Sequence, residues 1–152
     1  MKPDYFLYGR RVILVEYDTA MNWSSSLPNA NWLCILVSDD CERRYLDEVI
    51  SKIIGKDVGW VATIGNQCEL VHDLIDEEIA FRQVDIEPLY LPKHDIMTTF
   101  HHDFADGIWF SIVAAHDDDF EIETVVILDL TRGARNDEIQ AALKSISDEE
   151  AH

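Results

Sequence analysis

The stretch that decides the fold runs from Trp32 to Ile75: WLCILVSDDCERRYLDEVISKIIGKDVGWVATIGNQCELVHDLI. Trp32 to Val37 is an unbroken apolar run, the signature of a strand covered on both faces. Ser38, Asp39 and Asp40 follow as helix caps, and Asp39 with Glu42 has the spacing of a capping box. Tyr45, Leu46, Val49, Ile50, Ile53 and Ile54 then share one helical face, and Gly55 suits its C-terminal end. Val58 to Ile64 is a second buried strand. Gly65 and Asn66 turn the chain, Asn66 with Glu69 repeats the capping spacing, and Leu70, Val71, Leu74, Ile75 and Ile79 form a second amphipathic helix. A β-α-β-α unit of this kind predicts a mostly parallel sheet with helices on both faces.

Working outward, Arg11 to Tyr17 reads as a β-branched strand. A loop-like segment with Pro28 follows it instead of a helix, so this first strand is expected antiparallel at an edge. Val84 to Leu91 predicts a short strand limited by Pro88, and residues 92–103 a polar connection. Phe104 to Ala115 falls where a crossover is due and predicts a helix, although Ile108 to Val113 alone also reads as a strand. Glu123 to Leu130 is another buried strand, and Asn136 caps a last helix carrying Ile139, Ala142, Leu143 and Ile146. With no linker or repeat, residues 1–152 are expected to form one three-layer, Rossmann-like α/β domain.

The composition sets limits on function. Acids outnumber Lys+Arg 30 to 12, for a formal net charge of −18, while 47% of residues are hydrophobic. That apolar share suits a packed domain and not a disordered acidic tail. A polyanion repels nucleic acid and anionic membrane surfaces, which are therefore not expected partners. Three scattered Cys do not suggest a secreted disulfide framework, and the N-terminus lacks a signal-peptide layout, so a cytoplasmic protein is expected. The charge is uneven: residues 57–131 hold seventeen acids against Arg82 and Lys93 alone. Asp76-Glu77-Glu78 and Asp117-Asp118-Asp119, with Glu121 and Glu123, are its densest blocks. They are the residues expected to face a basic partner, since concentrated charge steers association with opposite charge.

Catalytic signatures are sparse. Neither G-x-G-x-x-G nor a Walker loop occurs, and no H-E-x-x-H or C-x-x-C marks a metal site, so no cofactor and no metal are expected. Cys41 and Cys68 fall at predicted helix N-termini, where a thiol with His101 or His102 as base is conceivable, but Asp39, Asp40, Glu42 and Glu69 oppose thiolate formation. Cys34 reads as core. Trp23 lies in a loop and reads as a possible interface anchor. In parallel α/β folds ligands sit beyond the carboxyl ends of the strands. A pocket there would gather Asp39, Asn66, Thr99, His101 and Arg132.

The block Thr98-Thr99-Phe100-His101-His102-Asp103, followed by Ile108-Trp109-Phe110, resembles small uncharacterised bacterial α/β domains. The size and acidity are similar to those of immunity proteins that neutralise bacterial toxins. The resemblance implies an inhibitor role and assigns no residue to it. The leading expectation is thus an acidic, non-enzymatic binding module that occludes a basic partner such as a toxin. A small enzyme or ligand-sensing domain using the strand-end loops is the alternative, and a subunit of a larger assembly is a third.

Overall fold

The structure, a computed structural model, describes residues 4–84 and 89–152. Its six-stranded sheet comprises β1 (Tyr5–Leu7), β2 (Arg10–Glu16), β3 (Trp32–Val37), β4 (Trp60–Ile64), β5 (Met97–Phe100) and β6 (Thr124–Asp129), in the spatial order β1-β2-β6-β3-β4-β5. Only the β1–β2 pair is antiparallel. The helices are α1 (Arg43–Gly55), α2 (Cys68–Val84), α3 (Phe104–Trp109) and α4 (Asn136–Glu150), with a π-helical turn at Phe110–Ala114 continuing α3. The fold class expected from the sequence, α/β with a mostly parallel sheet and an antiparallel edge, is the one observed.

Strand alternation divides the core in two. Trp32, Cys34 and Leu36 of β3, with Val126 and Leu128 of β6, pack beneath α1 and α2. Leu33, Ile35 and Val37, with Val125 and Ile127, pack beneath α3 and α4. A side-chain period of two with both faces covered is why these strands read as unbroken apolar runs. Burying each such Leu, Ile or Val is worth about 1.5–3 kcal/mol. The one polar atom of the buried Trp32 ring, Nε1, donates to the Lys56 carbonyl at 2.9 Å. That carbonyl lies where α1 ends: Asp57 adopts a left-handed φ of 58°, its N–H returns to Ile54 O, and the Val58 N–H returns to Ile53 O. This is the Schellman pattern, with an aspartate in the place glycine usually takes.

Several local expectations are corrected. Arg10–Glu16 runs parallel to β6, and the antiparallel edge strand is the three-residue Tyr5–Leu7 before it. The fifth strand is Met97–Phe100, inside the segment expected to be a polar connection. Of the strand expected over Val84–Leu91, Val84 ends α2, residues 85–88 lie outside the described residues, and Leu89–Leu91 is not a strand. The 104–115 segment is helical as expected; carbonyls near its end accept from the Arg10 guanidinium, Ser111 O and Ile112 O from Nη1 at 3.0 Å each and Ala115 O from Nη2. Trp23 is no interface anchor: it is 7% exposed and meets Tyr17 edge-on at 5.4 Å. The capping assignments also shift. Glu42, not Asp39 or Ser38, is the N-cap of α1, and Arg135, not Asn136, that of α4, neither with a side-chain capping bond.

Candidate functional site

From β3 the chain winds outward through α1, β4 and α2 to β5. It then returns across the opposite face through α3 to β6, which lies between β3 and β2. The winding reverses between β3 and β6, and crevices at such reversals are where open α/β sheets take ligands. Here the crevice is a cleft of about 330 Å³. Tyr17, Leu130 and Tyr45 supply its apolar surface, Asp39, Asp40, Cys41 and Glu42 one rim, and Thr131, Arg132 and Ala134 the other.

The rims are stitched together by side chains from three loops. Arg135 clamps Asp39 through both carboxylate oxygens, Nε–Oδ2 at 2.8 Å and Nη2–Oδ1 at 2.9 Å. Asp39 Oδ1 also accepts the Asn66 N–H at 2.9 Å. The guanidinium and this backbone bond hold the Asp39 carboxyl below its ordinary range against a desolvation that opposes them. Gln67 receives the Ser38 hydroxyl and the Cys41 N–H on one oxygen, and its amide donates to Cys41 O at 3.2 Å. On the β6 side the buried Asp129 carboxylate accepts Thr131 N at 2.7 Å, Thr131 Oγ1 at 2.6 Å and Gly133 N at 3.1 Å. That staple presents Arg132 in a left-handed conformation, φ 58°.

Of the five residues expected in one pocket, Asp39 and Arg132 line the cleft. Asn66 joins its frame, with Oδ1 accepting from Arg135 at 3.2 Å. Thr99 and His101 are not brought there. His101 Nε2 lies 3.0 Å from Thr99 Oγ1, which also accepts from Trp60 Nε1 at 3.2 Å, and the His101 ring packs on Phe110. Burial holds the His101 pKa below its ordinary value, with Asp106 opposing. Gln67 and Arg135 were missed because each acts across loops far apart in sequence, and Asp129 because it fell inside a segment read as a buried apolar strand. Tyr17 and Tyr45 were read as strand and helix core and carried no pocket signal.

The thiols are not set up as nucleophiles. Cys68 Sγ comes within 3.7 Å of His102 Nδ1, and His102 Nε2 within 3.4 Å of Glu69. That order of groups resembles a triad, but Cys68 is 2% exposed and burial raises its pKa. Cys41 borders the cleft, yet burial and Glu42 raise its pKa as well, with Arg132 opposing. A thiol kept protonated is a poor nucleophile. Among the described residues, no three His, Cys, Asp or Glu side chains gather to hold a metal ion, and no helix is long and apolar enough to cross a membrane.

The acidic blocks lie elsewhere, Asp76 against β5 at one edge of the sheet and Asp117 to Glu121 near the β1–β2 turn at the other. Asp76 Oδ1 accepts the Thr98 hydroxyl of β5 at 2.7 Å. Glu77 and Glu78 turn toward α1, bordering a hollow with Arg43 and Asp47, and Glu78 pairs with Arg82 at 2.8 Å. Asp117, Asp118, Asp119 and Glu121 lie on the loop that passes the Tyr8–Arg10 turn, and Glu123 immediately precedes β6. The same loop sends Phe120 toward β5: its ring stacks on His94 at 5.5 Å and fills the space a Cβ on Gly59 would take. β5 itself pairs only with β4, so its outer edge is open among the described residues. Phe100 shows on the α2 face and Met97 on the other, 41% and 44% exposed.

Comparison with curated proteins returned no match. Comparison with solved structures returned none either. A family model does match, over residues 12–146, which takes in everything from β2 to the last turns of α4 and so includes both the cleft and the β5 edge. The chain therefore belongs to the family described as Domain of unknown function (DUF7684).

Proposed function

We propose that this protein is an acidic, non-enzymatic binding module whose β5 edge accepts an extended segment of a basic protein, in the manner of an inhibitor that occludes its target. The observation that carries this reading is the edge of β5, open among the described residues, which combines exposed Phe100 and Met97 with the Asp76 carboxylate against Thr98. Strand addition supplies main-chain hydrogen bonds, and alternate side chains supply selectivity. Asp76 sits directly against Thr98, and the Phe120 ring of the Asp117–Glu121 loop reaches His94 ahead of β5. Of the two bases in residues 57–131, Arg82 is spent on Glu78, Tyr90 O and Ser51. The edge therefore repels acidic strands and favours Lys- or Arg-bearing ones. A toxin surface built for phosphates has that chemistry. The protonated thiols and the fully engaged Asp39 favour binding over catalysis.

The ladder suggests a specific test. Met97 N–H points to Gly59 O and His101 N–H to Thr63 O, so by strand alternation the Thr98 and Phe100 N–H groups point outward. Proline at 98 removes an outward donor while sparing the β4 ladder. A photo-crosslinker placed at Met97, in the cells that make the protein, is expected to capture a basic protein. The adduct is expected to survive Thr98→Val and to disappear in Thr98→Pro. Absence of any adduct, or an adduct indifferent to Thr98→Pro, contradicts the reading.

A further inference from the structure

We propose that the cleft between β3 and β6 binds a small zwitterion of the α-amino acid type, with Arg132 holding its carboxylate and Asp40 its ammonium group. The inference is independent of the β5 edge and rests on which charges at the cleft are already engaged. Asp39 is taken by Arg135 at 2.8 Å, and Glu42 by Arg44 at 2.9 Å. Of the charged residues lining the cleft, that leaves Asp40 and Arg132. Among the described residues neither makes a side-chain hydrogen bond or close ion pair, although Arg132 also borders a second hollow with Glu16 and Asp18. Both act electrostatically on Cys41 between them, Arg132 lowering its pKa and Asp40 raising it. A cation and an anion on opposite rims, neither in a close pair among the described residues, match a dipolar molecule of no net charge.

The rest of the cleft agrees with that class. Arg132 is held at the rim in a left-handed conformation, which a residue with a Cβ adopts only when its surroundings impose it. Here the imposition comes from Asp129, whose carboxylate fixes Thr131 and Gly133 on either side. A planar guanidinium suits bidentate recognition of a carboxylate. Tyr17 and Leu130, each 8% exposed, form an apolar wall for a side chain, and the Tyr17 hydroxyl is occupied by Glu48 at 2.9 Å. A phosphorylated ligand fits poorly, because one free arginine stands among three carboxylates and no glycine-rich cradle is present. A simple amine would bring no carboxylate for Arg132 to hold in the cleft.

Calorimetric titration of the full chain with the common L-amino acids tests this. At least one is expected to bind with a dissociation constant of about 1 mM or tighter. Its decarboxylated amine and its N-acetyl derivative are each expected to bind at least about tenfold more weakly, as are Arg132→Gln and Asp40→Asn. Arg132→Lys, which keeps the charge, is expected to recover part of the affinity. Thr98→Pro is expected to leave this binding unchanged, which separates it from the β5 reading. No binding across the panel, or binding that ignores the loss of either charge on ligand or protein, overturns the proposal.

Discussion

Asp39 and Arg135, 96 residues apart in sequence, form a two-pronged ion pair that ties the loop after β3 to the start of α4. The pair is about four-fifths covered, with side-chain exposures of 19% and 21%. It also lies beside the Phe104 ring, 4.8 Å from the guanidinium carbon. It therefore belongs between exposed pairs, which contribute little, and fully buried ones, whose rupture is costly.

Asp39→Asn or Arg135→Gln is expected to lower stability by about 1–3 kcal/mol in urea unfolding. The pH dependence has a definite sign. The folded Asp39 pKa lies below its unfolded value, so its contribution is complete above about pH 4 and is lost as pH falls through the depressed folded value. Asp39→Asn should remove that part of the acid limb and leave the neutral-to-basic limb unchanged. An acid limb identical to that of the parent would contradict the assignment.

Gly65 and Gly133 both take left-handed φ values, 97° and 86°, but their surroundings differ. A Cβ on Gly65 would press on the Ser38 carbonyl oxygen and come 2.9 Å from Asp39 Oδ1, whereas one on Gly133 meets nothing within 4 Å. Gly133→Ala is expected to cost ~1 kcal/mol, the conformational penalty alone. Gly65→Ala should cost ~3 kcal/mol, because backbone must also move. Paired denaturation curves measure the difference, and equal costs would show that the β3 and β4 loops are not in fixed register.

Thiol labelling reads the cleft directly. Cys41 is partly exposed while Cys34 is 0% and Cys68 2% exposed, so Cys41 should alkylate first. Its raised pKa predicts a rate at neutral pH below that of a free thiol, climbing on the alkaline side. Arg132→Gln should slow the reaction and Asp40→Asn should speed it. Labelling of Cys68 ahead of Cys41 would instead point to an open Cys68–His102 site.

The β3-α1-β4-α2 unit was legible because two-sided burial leaves unbroken apolar strands and a 3.6-residue helical stripe. β5 was not, since Met97-Thr98-Thr99-Phe100 at the edge of the sheet needs no apolar run, and the three residues of β1 are too few to carry a period. Asp39 illustrates a different limit. Asp39 before Glu42 has the local pattern of a cap, but Arg135 lies 96 residues away and competes for the same carboxylate. No spacing rule connects those two positions. The acidic blocks were visible as charge, whereas their relation to β5 depends on the Phe120–His94 stack and the Asp76–Thr98 bond.

Addition of a basic strand to β5 would be read by residue-resolved amide hydrogen exchange at Thr98 and Phe100, comparing the free chain with its complex with the basic protein captured from position 97. These two outward N–H groups are expected to exchange freely alone and to become protected together in the complex, while Met97 and His101, already bonded to β4, change little. Unchanged exchange at Thr98 and Phe100 in a complex that has formed would place the partner elsewhere and rule out strand addition at β5.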